Sequence, residues 1–111
     1  MSRHYIELPA NLPAGKAAVI CGYDRHPTEH FFCNVSESLH PDHIDEPLWA
    51  SMFDAELAYA RSMNSFDLKL ANFGINLPEA YKQALRQDWN LGSMSREVCW
   101  NEDGTILSEG I

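Results

Sequence analysis

The chain has 111 residues, of which 45% are hydrophobic, and its formal net charge is -8 at neutral pH. This length suits one domain with a single core, and the hydrophobic share excludes a disordered chain. The excess of acids disfavours binding to nucleic acid or to an anionic membrane surface, because like charges repel.

Two predicted strand regions open the chain, a short strand at residues 4–8 and a β-hairpin over residues 16–36. The two arms of the hairpin are rich in apolar residues and flank a polar turn. Pairing Asp24 with His30 aligns these apolar residues on one face, because side chains alternate along a strand. The residues on that face are Val19, Cys21, Tyr23, Phe31, Cys33 and Val35.

The segment after the hairpin has a weaker pattern. Residues 37–47 are polar and acidic, which predicts a loop. Residues 48–53 read LWASMF, and their hydrophobic period fits either a strand or a helix. Their aromatic content favours a short strand. A helix that continues from Pro47 is the alternative.

Short helices are predicted over about residues 54–61, 65–73 and 77–89. Asp54 is a suitable N-cap for the first of them, because its side chain can accept a hydrogen bond from a free backbone N–H. The second helix shows apolar residues at helical spacing, which marks its buried face. These residues are Phe66, Leu70 and Phe73.

The ends of the predicted helices carry recognisable capping patterns. Gly74 follows the second helix, and Ile75 can contact Leu70, so a Schellman ending is expected there. Asn76 and Glu79 resemble a capping box at the start of the third helix.

A second hairpin over residues 97–108 ends the predicted set of elements. Its turn contains Asp103 and Gly104, which tolerate the positive φ angles of tight hairpin turns. The order of strands, helices and strands predicts a single α+β domain over residues 1–111. We expect an antiparallel or mixed sheet with two to three short helices packed on one face.

One cysteine and histidine group could carry chemistry. Cys21, His26, His30 and Cys33 are residue types that bind zinc tetrahedrally. Their spacing differs from that of common zinc sites, and strand alternation directs both cysteines into the core. We therefore interpret the cysteines as buried apolar residues. A zinc or small-ligand site in the hairpin is the alternative.

The sequence holds no motif for nucleotide binding or serine-dependent hydrolysis. A binding or accessory protein is therefore expected rather than an enzyme. The three cysteines are too few for a disulfide scaffold, and residues 1–13 lack the apolar run of a signal peptide. No apolar stretch is long enough to span a bilayer. These features predict a reduced, cytoplasmic protein.

Acidic residues are concentrated in residues 26–60, a range without Lys or Arg. An acidic rim there is formed by Glu37, Asp42, Asp45 and Glu46. Ile20 and Phe32, on the other face of the hairpin, and Trp49 could form an apolar patch beside this rim. Such a surface predicts a basic protein partner or a second copy of the chain, with charge steering association.

The function expected from the sequence is therefore that of a small acidic interaction or accessory protein, without enzymatic activity. Self-association is compatible with the predicted apolar patch. Two alternatives remain open. One is a metal-binding or small-ligand-binding protein that uses the hairpin cysteines and histidines. The other is an inhibitor that imitates the charge of DNA and binds a nucleic-acid enzyme.

Overall fold

A mixed sheet forms the framework of the protein in a computed structural model that describes residues 1–92 and 95–110. Its six strands among these residues are β1 (Arg3–Pro9), β2 (Lys16–Asp24), β3 (His30–Ser36), β4 (Trp49–Ala50), β5 (Glu97–Trp100) and β6 (Ile106–Gly110). The spatial order is β4-β3-β2-β1-β5-β6. β1 pairs with β5 in parallel, and the other neighbours are antiparallel. The α+β class is confirmed.

The predicted register of the first hairpin is also confirmed. Asp24 lies opposite His30, and Cys21 lies opposite Cys33. β1 adds to the free edge of β2, so that His4 lies opposite Cys21. One face of these three strands, which we call the inner face, carries apolar side chains that are buried in the main core.

Helices α2 (Asp67–Asn72) and α3 (Glu79–Leu91) cover the inner face, and a 3₁₀ turn at Met63–Phe66 precedes α2. Leu70 of α2 and Leu85 of α3 belong to the same buried cluster as the sheet residues. The Schellman ending of α2 is present. Ile75 N–H donates to the Leu70 carbonyl over 3.0 Å, and Gly74, at φ +71°, donates to the Ala71 carbonyl over 2.9 Å.

The predicted helix over residues 54–61 is wrong. Asp54 accepts a hydrogen bond from the Glu56 backbone as expected, but only turns follow. The reason is tertiary: the Phe31 N–H donates to the Ala60 carbonyl over 2.7 Å, which pulls the chain alongside β3. This pairing extends the edge of the sheet and prevents a continuous helix.

The predicted capping box of α3 is wrong as well. Pro78 is the N-cap and makes no side-chain capping bond. Glu79 instead pairs with Arg86 over 2.7 Å. This ion pair spans two turns of the helix. It occupies the Glu79 carboxylate, which a capping box would direct to the backbone N–H of Asn76.

One helix forms where a loop was predicted. Helix α1 (Pro41–Asp45) begins after His40, whose Nδ1 accepts a hydrogen bond from the Asp42 N–H over 3.2 Å. Residues 48–53 divide between β4 and a 3₁₀ turn at Ser51–Phe53, so the expected strand is present over two residues and no helix continues from Pro47. In the described part of the chain, no helix is long and apolar enough to cross a bilayer.

Candidate functional site: a pocket on the outer face of the sheet

The face of the sheet opposite α2 and α3, which we call the outer face, carries a pocket of about 500 Å³. Strand alternation places Tyr5, Ile20 and Phe32 on this face, away from the inner core. The pocket walls come from α1 and from the segment that follows β4. Their main apolar members are Ile44, Met52, Ala58 and Tyr59. α1, which was not among the predicted helices, therefore lies on the outer side, whereas α2 and α3 share the inner face.

The floor of the pocket depends on a glycine. Gly22 lies opposite Phe32, and a Cβ atom at Gly22 would lie 2.5 Å from two atoms of the Phe32 ring. It would also lie 1.9 Å from the Ser2 carbonyl oxygen. The absence of a side chain therefore lets the Phe32 ring lie across β2 and lets the N-terminal backbone approach. The result is an aromatic floor beside Ile20.

His30 is the buried polar residue of this pocket, with 8% of its surface exposed. Its Nδ1 lies 2.7 Å from the Thr28 carbonyl oxygen. Because a carbonyl oxygen only accepts, Nδ1 carries the hydrogen, and Nε2 of the neutral ring keeps a lone pair. No described residue makes a hydrogen bond to Nε2. The ring is also fixed by an edge contact with Tyr59, at a centroid distance of 5.3 Å.

Charged and polar side chains border the pocket without dominating it. Arg3, Asp24 and Asp45 all line it. Tyr5 donates a hydrogen bond to Glu97 over 3.4 Å. Partial burial raises the pKa of the Tyr5 hydroxyl; Arg3 opposes this change and the Glu97 carboxylate reinforces it. The hydroxyl is therefore protonated at neutral pH, and the pocket offers little net charge to a ligand.

The four predicted zinc ligands are not brought together. Cys21 and Cys33 are buried on the inner face, whereas His30 lies on the outer face and His26 lies at the pocket edge. Burial, and contact with the Cys21 thiol, raise the pKa of Cys33 well above its ordinary value. Among the residues that the structure describes, no group of three or more His, Cys, Asp or Glu side chains could hold a metal ion.

The predicted partner surface is divided between the two faces of the sheet. Ile20, Phe32 and Asp45 line the outer-face pocket. Trp49 packs against the inner core, with its ring 6.4 Å from that of Phe66 and the Lys69 ammonium 5.6 Å from its centroid. The remaining rim acids are exposed on the surface: Glu37, Asp42 and Glu46.

Sequence reasoning missed a fully buried polar group on the inner face. His4 Nε2 lies 2.7 Å from an Asp88 carboxylate oxygen, and the Trp100 indole N–H donates to His4 Nδ1 over 3.0 Å. These partners lie 84 and 96 residues away in the chain, so no local pattern connects them. One signal was available. His4 alternates with Ile6 and Leu8, which predicts a buried position for its side chain.

Comparisons of the chain with known protein families, with curated proteins and with solved structures found no significant match.

Proposed function

We propose that the protein binds a small, neutral organic molecule in the outer-face pocket. One observation carries this proposal: a pocket of about 500 Å³ combines an apolar floor with a buried histidine. Ligand sites in proteins are mostly apolar concavities of this size with a few placed polar groups. The proposal retains the expectation of a binding protein, and it replaces the hairpin cysteines with residues of the outer face.

The chemistry of the pocket favours a neutral ligand over an ion. A charged group on the floor would be desolvated by Ile20 and Phe32, whose side chains offer it no partner of opposite charge. An anion would also meet the repulsion of a chain with net charge -8. Apolar contact with the floor would supply most of the binding free energy.

A substitution that fills the pocket tests this proposal. Ala58 lines it and is partly buried, so Ala58→Phe should occupy the volume that a ligand needs. Indole and 1-methylindole serve as bicyclic probes, and their binding is followed by the rise in melting temperature. We expect both to stabilise the wild-type protein at millimolar concentration and to have no effect on Ala58→Phe.

A matched control makes this result specific. Ala71 is exposed on α2, so Ala71→Phe adds the same side chain far from the pocket. This variant should respond to both probes as the wild-type protein does. Absence of any response in the wild-type protein, or an equal response in folded Ala58→Phe, would refute the proposed function.

A second candidate function is the docking of a protein partner beside β4. Pro47, Leu48, Phe53 and Asp54 line a shallow depression there, and the Phe53 side chain is 82% exposed. The surrounding range, residues 26–60, holds acids and no Lys or Arg. This charge favours a partner segment in which basic residues flank an apolar side chain, and it opposes a second copy of the chain.

Selection from a displayed peptide library tests the docking proposal. The selected peptides should combine Lys or Arg with an aromatic residue, and Phe53→Ser should abolish their binding. Leu91 is 79% exposed at the end of α3, so Leu91→Ser is the control and should bind normally. Selected peptides without basic residues, or peptides that bind Phe53→Ser equally well, would contradict this second candidate.

A further inference from the structure

The outer-face pocket contains a hydrogen-bond acceptor that the fold leaves unused. His30 is almost fully buried, and its Nδ1 hydrogen is committed to the Thr28 carbonyl. In the neutral imidazole this bond fixes the tautomer, so that Nε2 offers a lone pair. Nε2 is not among the buried side-chain atoms that lack a partner in the described residues, so this atom is accessible, and the pocket is where a ligand can reach it. A ligand that excludes water from Nε2 must supply a donor in its place, or the acceptor is left unpaired. The pocket therefore selects for a donor at this point.

The surfaces around His30 select for a flat ring. The Phe32 ring lies against Gly22 and forms the floor, and Tyr59 meets the imidazole edge-on. Aromatic rings favour offset-stacked or edge-to-face arrangements with such surfaces. A planar ligand can thus contact the floor while an N–H or O–H group in its plane reaches the imidazole.

We propose that the ligand is a neutral aromatic molecule that donates a hydrogen bond from an N–H or O–H group to Nε2 of His30. This inference rests on the proposed function, since it concerns the same pocket. It adds a chemical class and a recognition residue. His30 acts here as a specificity-determining residue, and no covalent step is involved.

Three indoles separate donor recognition from simple filling of the pocket. Indole and 3-methylindole carry an N–H donor, whereas 1-methylindole has the size of 3-methylindole and no donor. Calorimetric titration should give at least tenfold tighter binding of indole and 3-methylindole than of 1-methylindole to the wild-type protein. A site that pairs a donor rejects an isostere without one, because the acceptor then stays unpaired.

Variants of His30 assign this preference to the imidazole. His30→Phe keeps a ring and removes the acceptor, so all three indoles should bind it within about threefold of one another, because only apolar contact remains. His30→Gln offers an amide oxygen as acceptor and should restore part of the preference. His43→Phe makes the same change at an exposed histidine outside the pocket and should retain the full preference.

The possible failures are distinguishable. If 1-methylindole binds the wild-type protein as tightly as 3-methylindole, the pocket proposal stands and the role of His30 is refuted. If His30→Phe retains the tenfold preference, the donor is recognised elsewhere and the inference is also refuted. If none of the three indoles binds, the proposed function fails, and this inference fails with it. Retained binding of 1-methylindole by His30→Phe shows that this variant is folded.

Discussion

At the scale of single residues, the main feature of the inner face is His4, whose hydrogen bonds fix the position of its ring hydrogen. The Trp100 indole N–H can only donate, so His4 Nδ1 must accept, and the imidazole is neutral with its hydrogen on Nε2. That hydrogen is donated to Asp88, whose other oxygen accepts from Arg96 over 2.8 Å. The charge pair of this group is therefore Asp88 with Arg96. His4 supplies a neutral hydrogen bond.

The pKa of Asp88 leads to a pH-dependent stability. Burial by itself raises the pKa, but hydrogen bonds from His4, Arg96 and Ser2 outweigh it and hold the pKa below its ordinary value. A lowered folded-state pKa stabilises the fold above the unfolded-state pKa of about 3.9. This contribution is lost as the pH falls through the folded-state value.

We therefore expect Asp88→Asn to lower the free energy of unfolding by about 3 kcal/mol at pH 7, as for other broken buried pairs. The difference from the wild-type protein should shrink below about pH 4. Urea denaturation over a range of pH values measures this. Glu102→Gln, at an exposed carboxylate in the turn between β5 and β6, is the control and should change little. A difference that does not depend on pH would contradict the assignment.

At the scale of elements, Tyr81 joins α3 to the two central strands. Its hydroxyl donates to the His4 carbonyl over 2.7 Å and accepts from the Cys21 N–H over 3.1 Å. His4 and Cys21 face each other in the ladder, so the hydroxyl bridges the carbonyl of one and the N–H of the other. Burial and the neighbouring Cys21 raise the pKa of Tyr81 well above its ordinary value. The hydroxyl thus remains protonated and can bridge both groups.

Removal of this bridge should be costly. Tyr81→Phe leaves a buried carbonyl and a buried N–H without their partner, and we expect a loss of about 3 kcal/mol in the free energy of unfolding. Tyr5→Phe removes a hydroxyl that bonds a partly exposed Glu97 carboxylate at 3.4 Å, and it should cost below about 0.5 kcal/mol. Chemical denaturation of both variants tests this. Equal losses would show that the Tyr81 hydroxyl contributes no more to stability than the Tyr5 hydroxyl.

The close approach at Gly22 gives a second prediction at this scale. Gly22→Ala places a Cβ against the Ser2 backbone and the Phe32 ring, so we expect a loss of about 3 kcal/mol, as in an overpacked core. Gly92→Ala has open space around the added Cβ and bears only the cost of its φ of +63°, about 1 kcal/mol. Thermal unfolding compares the two. Similar losses would mean that Phe32 and Ser2 move aside freely.

At the scale of the whole molecule, the sheet separates two environments. The inner face is sealed by α2 and α3, and it contains Cys21 and Cys33 side by side as free thiols. The outer face is covered in part by α1 and holds the pocket. Cys99, on β5, is partly exposed. The chain thus carries thiols of very different accessibility.

Thiol reactivity reports this separation. With an aromatic disulfide reagent at neutral pH, we expect one thiol to react rapidly in the native protein, because the thiolate at Cys33 is disfavoured and both inner thiols are shielded. Cys99→Ser should abolish the rapid phase. Cys21→Ser should leave that phase unchanged. Rapid reaction of more than one thiol would show that the inner face opens readily.

The sequence predicts this fold best where the information is local. The register of the first hairpin follows from alternation through Asp24 and His30, and the end of α2 follows from Gly74 and Ile75. It fails where a distant partner competes. Residues 54–61 have the cap and composition of a helix, yet the chain forms successive turns there and bonds to β3 through Phe31 and Ala60.

The candidate site shows the same division. Alternation along the hairpin assigned Ile20 and Phe32 to the face opposite the core, and both line the pocket. The free Nε2 of His30 could not be predicted, since it depends on a turn that brings the Thr28 carbonyl to Nδ1. The pocket wall from Tyr59 could not be predicted either, because it depends on how the chain returns along β3.

By itself, then, the sequence determined the α+β class, the two hairpins and the sides of the two strands in the first hairpin, because side-chain period and turn chemistry are properties of neighbouring residues. Only the tertiary structure decided what covers each side. It placed α1 over the outer face and joined His4 to Asp88 and Trp100 across most of the chain. Contacts between residues so far apart depend on the packing of whole elements, and a local pattern contains no record of that packing.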